Sequence, residues 1–169
     1  AAALVPQTDT IIPRQGATRL ELENFSGEVV VRTWARDEIR VKAVHAGSRS
    51  IDIHRSSRYV EISVDVERGM GIAGSVDFEL TVPRDLDLSL EGMALDVDIQ
   101  DSDGKVEVNT IHGGIRVRGG RGAVLLESVN GEVVTVYDPG ADYTGKPMMS
   151  SPPWTINLSY DHSFNLPNG

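Results

Sequence analysis

The sequence predicts an all-β protein, a β-solenoid or β-roll of short stacked strands with repeats of about 20 residues, or in the alternative a β-sandwich. Three observations predict it. Apolar and polar residues alternate with a period of two through most of the chain, and helical periodicity is almost absent. A unit of strand, small polar residues, glycine and strand recurs. Aromatic residues are only 5% of the chain, so the core is built from Val, Ile and Leu in thin, regular layers.

The alternation sets the strands in order. Leu20-Glu21-Leu22-Glu23 is the first clear run, followed by Val29-Val30-Val31-Arg32, Ile39-Arg40-Val41-Lys42 and Ile51-Asp52-Ile53-His54. Val60-Glu61-Ile62-Ser63-Val64-Asp65-Val66 is the cleanest half-buried strand pattern. Val76-Asp77-Phe78-Glu79-Leu80-Thr81-Val82 follows and is stopped by Pro83. Between these two lies a glycine-rich connection, Arg68 to Gly74.

From Leu86 the pattern tightens. Val106 to Val117 is one unit and Val124 to Val136 the next, with Gly113 and Gly131 in matching places, a spacing of 18. Leu86 to Ile99 reads as an earlier copy in which Gly92 stands for Gly113, a spacing of 21. Leu20 to Val31 has the same form around Gly27. Glycine admits positive φ at the corners of such a stack. Asn130-Gly131 is also a hairpin signal, which keeps the sandwich open.

Three parts follow: an extended N-terminal segment over 1–17, a β-repeat domain over 18–136, and a Pro/Gly-rich tail over 137–169 with one further strand, Trp154 to Tyr160. Both ends are extended and carry apolar residues, so both are expected to pack on something.

The formal charge is −9, and the excess lies late: residues 68–169 carry seven basic and fifteen acidic groups. Such a surface repels phosphate backbones, so no nucleic-acid partner is expected. There are no cysteines, which removes disulfides and thiolate chemistry. No apolar run reaches the roughly 18 residues of a membrane span. Ala1-Ala2-Ala3 is the kind of small-residue start that export cleavage leaves.

Leu22-Glu23-Asn24-Phe25-Ser26-Gly27-Glu28-Val29-Val30-Val31-Arg32-Thr33-Trp34, the strand end Leu80-Thr81-Val82-Pro83, Val106 to Arg118 and Glu127 to Val133 resemble the bacterial putative-adhesin family of β-strand-repeat domains. The resemblance runs over residues 18–136, the greater part of the chain. It implies an exported protein at the cell surface, in the extracellular space or in the periplasm, and it supplies no catalytic residue. The tail departs from that family. Asp142 to Pro147 with Pro153 to Tyr160 looks like a strand motif of TonB-dependent outer-membrane receptors, over too short a stretch to make a barrel.

Few residues suggest chemistry. Asp96, Asp98, Asp101 and Asp103, before Gly104, form the densest polar cluster and the one candidate Ca²⁺ site, though the spacing fits no standard calcium loop. A solvated acidic face with a turn is the plainer reading. No other cofactor is expected. His45, His54, His112 and His162 are scattered and share no ligand spacing. Gly69 to Gly74 joins two strands and opens no helix, so it is a loop and not a phosphate cradle. Arg116, Arg118 and Arg121 are expected to pair with the neighbouring acidic repeat.

The expected function is therefore non-enzymatic: a structural or adhesion-type protein of the envelope or extracellular space, acting through protein–protein contacts. One alternative is a self-assembling filament subunit that donates terminal strands, from residues 1–13 or 154–166. The other is a carbohydrate-binding or polysaccharide-active protein with a glycan partner, using Asp96 and Asp98.

Overall fold

The computed structural model describes residues 7–45, 50–65 and 74–136. These residues are all-β, with no helix among them. Their strands, in chain order, are β1 (Gln7–Pro13), β2 (Arg19–Glu23), β3 (Ser26–Trp34), β4 (Glu38–His45), β5 (Ser50–Arg55) and β6 (Tyr59–Asp65). There follow β7 (Val76–Pro83), β8 (Asp87–Gln100), β9 (Val106–His112), β10 (Ile115–Arg118), β11 (Val124–Asn130) and β12 (Val133–Val136).

The twelve strands form one hydrogen-bonded sheet that branches at β8, a strand of 14 residues. The first half of β8 lies in a row ordered β5-β6-β2-β8-β9-β11, and its second half in a row ordered β1-β4-β7-β3-β8-β10-β12. From β6 to β11 and from β7 to β12 every neighbouring pair is parallel. Only β5, β4 and β1 join antiparallel, at one end.

The parallel registers explain the recurring unit. Leu88 pairs with Val106 and Val106 with Val124; Val97 pairs with Ile115 and Ile115 with Val133. Each step advances the numbering by 18, the separation also of Asp96 and Gly114, which are bonded across two repeats. Asn130-Gly131 closes no hairpin, because β11 pairs with β9 and β12 with β10. The chain runs along one row, turns a corner and returns along the other.

Gly92 is not the counterpart of Gly113. It stands opposite Thr110, and the residue stacked on Gly113 in the repeat before is Leu95. The spacing of 21 read from the glycines is corrected to 18. The corner needs glycine only where the stack is closest. Gly113 has φ +110°, and a Cβ there would overlap the Leu95 carbonyl oxygen. A Cβ at Gly131 would overlap the carbonyl oxygen of Gly113 in the same way.

Alternation puts the apolar residues of both rows into one core. Leu20, Leu22, Val60, Ile62, Leu88 and Leu90 come from the first row. Val29, Val31, Leu80, Val97, Ile99 and Ile115 come from the second. Each side chain so buried contributes roughly 1.5–3 kcal/mol, which is how a core this poor in aromatics holds.

The N-terminal segment belongs to the same sheet over its described part. β1 pairs along its whole length with β4, and Ile12 is buried. The two ends of the molecule differ. One ends in the antiparallel strands β5 and β1, the other in the parallel strands β11 and β12, and none of these four has a further neighbour among the described residues. The tail over 137–169, its strand Trp154 to Tyr160, and the glycine-rich connection up to residue 73 lie outside the described residues.

Candidate functional site

The corners are where polar chemistry concentrates. After β2 and near the ends of β9 and β11 a small polar residue turns inward and ties the corner together. Asn24 is buried, and its Nδ2 donates to the Val76 carbonyl at 2.8 Å. Thr110 Oγ1 accepts from the Leu95 amide at 3.2 Å and donates to the His112 carbonyl at 2.7 Å. Ser128 Oγ donates to the Gly113 carbonyl at 3.2 Å. These side chains bond main-chain groups that the corner takes out of the strand ladders.

The four candidate calcium ligands are separated by their partners. Asp96 Oδ1 accepts the Gly114 amide at 2.8 Å. Asp98 is held by Arg118, whose one nitrogen donates to both carboxylate oxygens at 3.0 and 2.9 Å, with Arg32 at 3.5 Å. Asp101 takes φ +58° at the opposite corner, and its carbonyl accepts from Thr33 Oγ1. Asp103 meets Arg84 at 3.2 Å and Arg121 at 3.5 Å. Among the described residues no group of three or more His, Asp or Glu is arranged to hold a metal ion. The carboxylates of Asp96, Asp98 and Asp103 instead serve main-chain or guanidinium partners, mostly one repeat away.

The basic residues follow the same rule. Arg118 and Arg121 pair with aspartates one repeat back, as the sequence led us to expect, while Arg116 stays exposed. His45 is buried at the end of β4, and His54 and His112 are exposed on β5 and β9. They share no ligand arrangement, and His162 lies outside the described residues.

Two concavities among the described residues are small. One of about 200 Å³ lies on the outer face of the second row, between Glu28, Asp96, Asp98, Arg116 and Glu132. Another of about 230 Å³ lies between Val30, Lys42, Val44 and Glu79. Both fall short of the roughly 300–1,000 Å³ that encloses a small-molecule ligand.

The feature that sequence reading missed is apolar. Phe25, Met93, Ile111 and Val129 are all exposed, by 48, 44, 40 and 53%. The ladders place them one above another at the same corner: Met93 N–H donates to the Phe25 carbonyl at 3.1 Å, and Ile111 and Val129 follow at steps of 18. The signal was present in the spacing 93, 111, 129. Aligning Gly92 with Gly113 put it out of register.

No protein-family model matches the chain. No curated protein matches it either. Among solved structures it is similar to the crystal structure of a "putative cell adhesion protein" from Clostridium sporogenes, at 8% identity and a TM-score of 0.57, over 79% of this chain and 100% of that one. At that identity the likeness is one of fold. The receptor-like motif of the tail has no support from any of these comparisons. Among the described residues no helix is long and apolar enough to cross a membrane. What the comparisons establish is a fold shared with a structure described as a "putative cell adhesion protein".

Proposed function

We propose that this chain is a non-enzymatic β-roll of the cell envelope or extracellular space, a structural or adhesion-type protein that acts through protein–protein contacts. One observation carries the reading. The strands β6, β2, β8, β9 and β11 in one row, and β7, β3, β8, β10 and β12 in the other, all run parallel to their neighbours and turn polar side chains outward. The acidic side chains that a glycan-active site would use, Asp96 and Asp98, are bonded to Gly114 and Arg118. The fold shared with the structure described as a "putative cell adhesion protein" supports the same reading. Fractionation of the native cell with an antibody to the chain tests it. The protein is expected in the envelope or the medium, and a wholly cytoplasmic pool would sink the proposal. Polysaccharide turnover that disappears in Asp96→Asn/Asp98→Asn would replace it with the glycan-active alternative.

Self-assembly is a second reading, favoured by unpaired strand edges. The outer edges of β11 and β12 are unpaired among the described residues, and Leu125, Val129 and Val136 are exposed there. Such an edge recruits strands. The donor is not the described N-terminal segment, because β1 is already paired with β4. It would be residues 154–166 or the edge of a second copy. Electron microscopy of the purified protein would show filaments that vanish when 154–166 are deleted; single particles at all concentrations would remove this reading.

A further inference from the structure

The corner ridge of Phe25, Met93, Ile111 and Val129 is the strongest unexplained feature of the surface. Three steps between neighbouring strands make it about 14 Å long. Exposed apolar side chains scattered singly need no account, but four stacked in one line do. Their surroundings are mainly acidic, with the exposed Arg116 beside Asp96 and Glu132 as the exception. Two positions before the ridge stand Glu23, Glu91 and Glu127, and three positions after it stand Glu28, Asp96 and Glu132. All six are exposed. Glu23, Glu28, Glu91, Glu127 and Glu132 make no salt bridge with any described residue.

We propose that this ridge is a docking surface for a cationic, apolar-striped segment of a partner protein. An amphipathic helix with apolar residues at i, i+4, i+7 and i+11 presents a stripe of about 16 Å, close to the ridge in length. Lysines and arginines beside that stripe would face the two carboxylate rows. Charge also argues against the nearer occupants. The chain's own residues 137–169 carry Asp138, Asp142 and Asp161 against Lys146. A second copy would bring an equally acidic ridge on a molecule of net charge −9. The inference rests on the contact function proposed above and names its site and partner chemistry.

The test uses the full chain and a labelled 14-residue peptide of Leu and Lys, with leucines on one helical face, followed by fluorescence anisotropy. A Leu/Glu peptide and a Ser/Lys peptide of the same spacing are the controls. The Leu/Lys peptide is expected to bind, and both controls to bind at least about tenfold more weakly. Met93→Thr/Ile111→Thr keeps strand propensity and is expected to weaken binding about tenfold. Glu91→Gln/Glu127→Gln is expected to weaken it and to flatten its dependence on salt. Asp52→Asn/Glu61→Gln, on the outer face of the first row, removes two charges far from the ridge and should change little. Equal binding of the Ser/Lys peptide, or equal loss in the Asp52/Glu61 variant, would reduce the effect to net charge and overturn the proposal. So would an absence of Leu/Lys binding. Sedimentation of the protein alone closes the last alternative: self-association that Met93→Thr/Ile111→Thr abolishes would make the occupant a second copy. None of these outcomes bears on cell fractionation, so the site can fail while the envelope reading stands.

Discussion

Asp9 and Arg40 meet through two hydrogen bonds, Nε to Oδ1 at 2.9 Å and a terminal nitrogen to Oδ2 at 2.7 Å, where β1 lies on β4. The bonds from Arg40 hold the Asp9 carboxyl below its ordinary value of 3.8, and they raise the Arg40 guanidinium in turn. The sign of the linkage follows. A depressed carboxylate stabilises the folded form above 3.8 and loses that contribution as pH falls through its lowered folded value. The pair is exposed, so the effect is local and small. Hydrogen exchange of the β1 amides, corrected for intrinsic rate, should hold from neutral pH down to the ordinary carboxylate range and weaken below it. Asp9→Asn should remove that pH dependence; an unchanged profile would mean that backbone pairing alone holds β1. Gly113 makes a second prediction at this scale. Gly113→Ala places a Cβ against the Leu95 carbonyl in a positive-φ conformation. Strain of this kind costs roughly 1–3 kcal/mol before the overlap is relieved. Gly114→Ala, one residue on, meets no atom closer than 3.6 Å and should be near neutral in denaturant unfolding.

Strands and corners differ in how far the sequence announces them. The strands were legible, because Val60 to Asp65 or Val76 to Val82 can bury one face only as strands. Pairing was legible where two repeats have equal length, as at Gly113 and Gly131. It was illegible between β2/β3 and β8, where paired positions such as Leu20 and Leu88 lie far apart in the chain. Four other strands are inserted there, and no local pattern records where the chain returns. Asp96 and Asp98 do share the outer face of β8, with Asp101 and Asp103 at the next corner, but the local sequence does not record the Gly114, Arg118, Arg84 and Arg121 partners that Asp96, Asp98 and Asp103 take. The recurring unit showed small polar residues ahead of its glycine but not their burial: Thr110 is fully buried and bonds two main-chain groups. Thr110→Val keeps its shape and leaves the Leu95 amide unsatisfied, at a cost of about 1–3 kcal/mol. Thr110→Ser keeps the hydroxyl and should lose far less. Equal losses in chemical denaturation would show that the methyl group, and not the hydrogen bonds, holds this corner.

At the scale of the whole molecule the decisive property is that, among the described residues, each strand bonds only its neighbours in its own row, apart from β8, which serves both rows. Stability then accumulates along the stack, and its ends are set by what covers them. Both ends finish on strands with an unpaired outer edge among the described residues; at one, β5, β4 and β1 have six to eight residues, and Ile39, Val41, Val60 and Ile62 there are buried. The other end is thinner. Val124 and Val133 are only partly buried, Thr135 and Val136 are exposed, and β12 has four residues. Native-state hydrogen exchange should therefore find β11 and β12 opening at a lower free energy than β2, β3 and β8. Substitution should agree. Leu90, at 1% exposure in the middle of the first row, has neighbours on both sides, whereas Leu126, at 6%, has them on one. Leu90→Ala should fall near the upper end of the about 2–5 kcal/mol range for buried leucine, and Leu126→Ala near its lower end. A partner docked on the ridge would span the weak end through Val129, so it should slow exchange in β11 more than in β2. Uniform exchange along the stack, or equal costs at Leu90 and Leu126, would mean that the molecule unfolds as one cooperative block and that something covers β11 and β12.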